Sequence, residues 1–103
     1  MYFFVLLRQT NFKKELIMPK LCTFLGISIY MYYNEHNPPH FHALYNGDRG
    51  IFQISPPKYA SGSLPPRIVG LVMEWVSMHE NELLDNWQVL KENGKCKKIK
   101  PLV

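Results

Sequence analysis

Three proline pairs, Pro38-Pro39, Pro56-Pro57 and Pro65-Pro66, cut this 103-residue chain at points that neither a helix interior nor a central strand can run through. The pieces between them have different periods. From Ile27 to Tyr33 the sequence Ile-Ser-Ile-Tyr-Met-Tyr-Tyr alternates β-branched, aromatic and polar residues and predicts a strand. His40–Tyr45 and Gly50–Ser55 predict two more, joined as a hairpin by Asn46-Gly47-Asp48. Tyr59–Leu64 reads as a Ser/Gly loop. After Pro65-Pro66, well placed in a helix's first turn, Ile68, Leu71, Val72, Trp75, Val76 and His79 recur at helical spacing, and Leu83, Leu84, Trp87 and Leu90 continue it.

A straight helix from residue 65 to 92 would be about 40 Å long at 1.5 Å per residue. That exceeds the roughly 26 Å diameter of a domain of ~100 residues, so a break is expected near His79-Glu80-Asn81. Asn93-Gly94 is a stop signal, and Lys95–Lys100 reads as a short edge strand or basic tail. The expected fold is α+β: a three-stranded antiparallel sheet with one face covered by a long or kinked helix pair, forming a single domain over residues 18–103.

Alternation sorts the strands into two faces. Ile27, Ile29, Met31, Phe41, Ala43, Phe52 and Ile54 form a core face for the helix to cover. Ser28, Tyr30, Tyr32, His40, His42, Leu44, Ile51 and Gln53 form a second face, rich in imidazole and phenol, that suits contact with a ligand or partner. The His36-Asn37-Pro38-Pro39-His40-Phe41-His42 run puts three of the four histidines here. His40 and His42, two apart on a strand, point the same way with Cβ atoms ~7 Å apart. His36 is separated from His40 by about 12 Å if the spacer is extended at ~3.1 Å per residue, which places it at the rim.

Three readings fit this group. The histidines can simply pack or bond to backbone. They can act as acid and base on a phosphodiester, with His36, His40 and His42 as the histidine group and Tyr30 or Tyr32 as hydrogen-bond donor, needing no cofactor. Alternatively they can hold zinc or iron through His40 and His42 with Glu35 or His79. His79 is otherwise a helix-end residue favoured by the dipole, and Trp75 and Trp87 are core anchors.

The net charge of +4 is unevenly placed. Residues 91–103 carry net +4, residues 1–17 net +2, and residues 18–90 net −2. The body is therefore mildly acidic, and Lys95, Lys97, Lys98 and Lys100 are the candidates for contacting a nucleic acid. Cys22 and Cys96, 74 positions apart with no zinc-like spacing, read as reduced thiols. The apolar start, Met1 to Leu7, falls far short of the roughly 20 residues of a membrane span. Met18-Pro19 offers a second start, so residues 1–17 are expected to be an extension outside the fold, and the protein to be cytoplasmic and off the membrane.

The segments Gly26-Ile-Ser-Ile-Tyr-Met-Tyr-Tyr33, Glu35-His-Asn-Pro-Pro-His-Phe-His-Ala43, Leu64-Pro-Pro-Arg67 and Glu74-Trp-Val-Ser-Met-His-Glu-Asn-Glu-Leu-Leu-Asp-Asn-Trp87 resemble a small prokaryotic family, the domain of unknown function numbered 4160. The resemblance spans residues 18–102. It implies a shared site around His36, His40 and His42 but no established activity. By size and gene context it further implies a toxin–antitoxin component, partnered by a small helix-turn-helix-like protein encoded nearby. On that basis the expected function is a toxin-like action on RNA through the histidine face, with a non-catalytic metal- or protein-binding module as the alternative.

Overall fold

A computed structural model describes residues 19–33 and 35–103. Five strands follow one another as an antiparallel meander: β1 (Lys20–Phe24), β2 (Ile27–Tyr30), β3 (His40–Tyr45), β4 (Asp48–Gln53) and β5 (Lys58–Gly62). A single helix, α1 (Pro66–Lys91), completes the elements. The α+β class and the antiparallel sheet agree with the sequence; the number of strands and the helix pair do not. The expectation for residues 1–17 lies outside the described residues.

The two extra strands have separate causes. β1 joins β2 through Leu25-Gly26, both at positive φ (51° and 80°). This is the same backbone solution that Asn46-Gly47 gives between β3 and β4 (50° and 83°). Asparagine announces such a turn in a sequence, whereas leucine does not. β5 is Lys-Tyr-Ala-Ser-Gly, an exposed edge strand paired to β4 across a bulge between Ile51 and Phe52. Its small polar residues read as a loop because an edge strand needs little apolar surface. β2 also ends at Tyr30, three residues earlier than its alternation suggests.

All seven residues of the expected core face are fully buried. Phe41 and Phe52 stack across β3 and β4 at 5.3 Å between ring centres, and Trp75 meets Phe41 edge-on at 5.7 Å. These aromatic contacts join sheet to helix at the centre of the core.

Helix α1 starts with Pro65 at the cap and Pro66 in the first turn, and the Pro65 carbonyl accepts from the backbone N–H groups of Ile68 and Val69. Its backbone departs from helical geometry at His79 (φ −131°, ψ 22°), inside the segment where a break was expected. The departure bends one helix and does not make two. The buried stripe Ile68, Val72, Trp75, Val76, His79, Leu83, Asn86, Trp87, Leu90 stays in phase across it, and no proline or glycine lies between Leu71 and Lys91.

Part of the helix is covered by the chain that follows. Residues 95–100 form neither strand nor free tail. Ile99 is buried and its N–H donates to the Leu21 carbonyl in β1, while the Trp75 Nε1–H donates to the Lys100 carbonyl. The Asn86 side chain exchanges two hydrogen bonds of 2.9 Å with the backbone of Lys97. The turn into this segment has Asn93 at φ 59° and the Gly94 N–H on the Val89 carbonyl. A Cβ at Gly94 would come within 2.9 Å of the Val89 side chain, so glycine is needed there for close approach.

Candidate functional site

Alternation along β3 buries Phe41 and Ala43 in the core and turns His40 and His42 to the outer face. The loop from β2 to β3 then brings Glu35 against both rings. A single carboxylate oxygen, Glu35 Oε1, lies 2.6 Å from His40 Nε2 and 3.0 Å from His42 Nε2. The other ring nitrogen of His40 lies 2.9 Å from the Pro38 carbonyl oxygen, which can only accept. The Asn37–Pro38 peptide is cis.

These partners constrain where the ring hydrogens can lie. Burial pushes the Glu35 carboxyl group upward, but hydrogen bonds from His42 and His40 outweigh it, so its pKa lies below the ordinary carboxylate value. An ionised Glu35 accepts from both imidazoles. With Nδ1 against a carbonyl and Nε2 against that carboxylate, His40 has an acceptor at each ring nitrogen, a setting that only the imidazolium form satisfies in full. His42 donates through Nε2, and its Nδ1 is buried with no hydrogen-bond partner among the described residues. The carboxylate is shared, with an acceptor at both nitrogens of His40 and at one nitrogen of His42.

The surrounding side chains hold this group in place. Tyr32 stacks on His42 at 4.4 Å and 11°, and its hydroxyl accepts from Arg49 Nη1 at 2.9 Å. Trp87 lies 5.2 Å from His40, so α1 reaches the histidines that the alternation had set on the face away from it. From the last turn of α1, Lys91 donates to the Glu35 backbone carbonyl at 3.3 Å.

Of the residues singled out in the sequence, His40, His42 and Glu35 come together, with their ligand atoms all within 4.8 Å of one another. His36 is exposed and outside this group. His79 is also outside it: it sits at the bend inside α1, not at a helix end, with Nδ1 2.5 Å from Glu82 Oε1. Tyr30 is the cross-strand partner of His42, but the ring stacked on His42 is that of Tyr32. Lys95, Lys97 and Lys98 line one cavity of about 470 Å³ with Lys20 and Tyr33; Lys100 does not line it. Tyr32 was legible as an outer-face residue, whereas Arg49, Lys91 and Lys20 carry no local motif. Trp87 was legible as a core anchor but not as a neighbour of His40.

A meander sheet crossed by one bent helix, with a carboxylate-bridged histidine pair at its outer face, defines the class of this protein. The sequence profile of a family described as Domain of unknown function (DUF4160) matches residues 26–88, and the chain belongs to that family. The match contains Glu35, His40, His42 and Trp87; β1 and the lysine-rich C-terminal segment lie outside it. No curated protein and no solved structure matches the chain. No helix among the described residues is long and apolar enough to cross a membrane.

Proposed function

We propose that Glu35, His40 and His42 form a proton-transfer site that cleaves RNA by attack of a ribose 2′-hydroxyl on the adjacent phosphodiester. The observation that carries this reading is the double use of His40: Pro38 takes one of its N–H groups and an ionised Glu35 takes the other. An acid and a base are thus preset against each other at 2.6 Å.

Glu35 accepts the 2′-hydroxyl proton as that oxygen bonds to phosphorus. His40 gives its Nε2 proton to the departing 5′ oxygen as the P–O bond breaks. The products are a 2′,3′-cyclic phosphate and a 5′-hydroxyl. Return of the proton from Glu35 to His40 across their short contact resets the site. His42, stacked under Tyr32, orients the carboxylate. In this reading the protein is a toxin-like cytoplasmic component whose activity a small helix-turn-helix-like partner restrains.

A second reading has its own support. Three donor atoms within 4.8 Å of one another, and a backbone carbonyl orienting the His40 ring, also suit zinc or iron. One experiment separates the two. RNA incubated with the full chain in excess chelator should yield 2′,3′-cyclic phosphate ends, and Glu35→Gln should abolish them. Activity that disappears with chelator and returns with zinc or iron supports the metal reading instead. A chain that leaves RNA intact with or without metal removes RNA cleavage and leaves a non-catalytic metal site, which bound zinc or iron in the purified chain would identify.

A further inference from the structure

We propose that single-stranded RNA is held along a track running from the lysine-lined cavity beside β1, past Lys20 and Tyr30, to the histidine cluster. The choice of ligand rests on the ribonuclease reading above; the track itself rests on separate residues.

The strand register supplies the line. Lys20 pairs with Tyr30, and Tyr30 pairs with His42, so the three follow one another across β1, β2 and β3. Residues directly opposite in register share a face of the sheet, and two strand spacings put Lys20 and His42 about 10 Å apart. The Lys20 ammonium lies 5.9 Å from the centre of the Tyr30 ring.

Lys20 also belongs to the cavity. With Lys95, Lys97, Lys98 and Tyr33 it lines a space of about 470 Å³ whose lining, among the described residues, contains no carboxylate. The cavity has a definite floor, because Tyr33 donates its hydroxyl proton to the Gly94 carbonyl at 3.0 Å and Lys98 donates to the Lys20 carbonyl at 2.8 Å. The C-terminal lysines are thus pinned against the β1 edge. Lys20 is the residue common to the cavity and the aromatic row.

Ammonium groups in a concave surface, followed by a half-exposed phenol ring and then a proton-transfer group, match the alternating chemistry of a single strand. Phosphates are met by the lysines and a base by the tyrosine face. A duplex offers phosphates but keeps its base faces stacked, and an acidic protein surface has no need of the tyrosine. The single strand uses all three parts.

The test is fluorescence anisotropy of a labelled, uncleavable 2′-O-methyl oligoribonucleotide of about ten residues, a length within known site sizes, titrated with the full chain over a range of salt. Lys20→Glu should weaken binding about tenfold or more and flatten the salt slope by ~0.7 for the lost phosphate contact. Tyr30→Ala should weaken it about 5- to 100-fold, with Tyr30→Phe close to the unaltered chain. Arg67→Glu, in the first turn of α1 and bonded to Tyr45 at the end of β3 opposite His40, should change affinity by about twofold or less, which is small for a cation far from the bound strand.

Equal losses from Arg67→Glu and Lys20→Glu would overturn the track, as would unchanged binding by both Lys20→Glu and Tyr30→Ala. No binding by the unaltered chain would also overturn it and assign this face to a protein partner. Tight binding that follows the expected pattern, without cleavage of the matching RNA, would sink the ribonuclease reading and leave the track standing.

Discussion

Phe41 and His40 are adjacent in β3, yet they belong to two regions built on different terms. Phe41 is fully buried between Phe52 and Trp75, and its contribution is apolar area and ring packing that neighbouring apolar residues could partly replace. His40 is half-buried, and each of its nitrogens has a named acceptor. The inner face holds the fold through many interchangeable contacts; the outer face depends on a few that are not. His79 sharpens the contrast, because it too has a nitrogen close to a carboxylate. Glu82, however, is its neighbour three residues along the same helix, is about half exposed and binds one ring only. Glu35 comes from a loop and joins two residues of a strand. A short histidine–carboxylate contact is common at a helix surface; the shared one on the sheet face is what marks the candidate site.

The largest expected effect is catalytic. His40→Asn should slow RNA cleavage by about 10²- to 10⁴-fold, the usual worth of a general acid, while the melting midpoint moves by no more than a few degrees. Next comes Phe41→Ala, which should cost ~3–5 kcal/mol of stability, lowering the midpoint by roughly 15–30 °C, while molecules that remain folded cleave at the normal rate. If Phe41→Ala lost cleavage with its fold intact, or His40→Asn unfolded the chain, the division between the faces would be wrong.

A smaller effect follows from the Glu35 carboxyl group, whose pKa the two imidazoles hold below the ordinary carboxylate value. A depressed folded-state pKa contributes stability that is present above the unfolded value and lost as pH falls through the folded one. Chemical denaturation as a function of pH should therefore show the wild type losing stability below about pH 4.5 more steeply than Glu35→Gln does. Parallel curves would mean that Glu35 is not bonded to the imidazoles in solution. The smallest effect belongs to Glu82→Gln, which should alter stability by less than ~1 kcal/mol and leave cleavage unchanged.

Much of this was legible because two periods dominate. Ile27, Ile29, Met31, Phe41, Ala43, Phe52 and Ile54 sort by alternation alone, and all are buried. The same alternation placed His40 and His42 together. What could not be read depends on backbone conformation or on contacts between distant segments. The Leu25-Gly26 turn hides β1 because leucine at φ 51° leaves no compositional mark. β5 hides because its burial is slight. Glu35 was visible as a carboxylate near two histidines, but its role as a common acceptor depends on how residues 35–39 fold back, which spacing does not encode. Lys91 on Glu35 and Trp87 beside His40 span 56 and 47 positions, distances no local pattern can reach.

The central claim is that Glu35 holds a doubly protonated His40 with a singly protonated His42. Long-range proton–nitrogen NMR of the histidine rings in the metal-free full chain tests it most directly. The account predicts protons on both ring nitrogens of His40 and on Nε2 alone of His42, with Glu35→Gln releasing the Nε2 proton of His40 to solvent exchange. A His40 ring with an unprotonated Nε2, or a His42 proton on Nδ1, would contradict it.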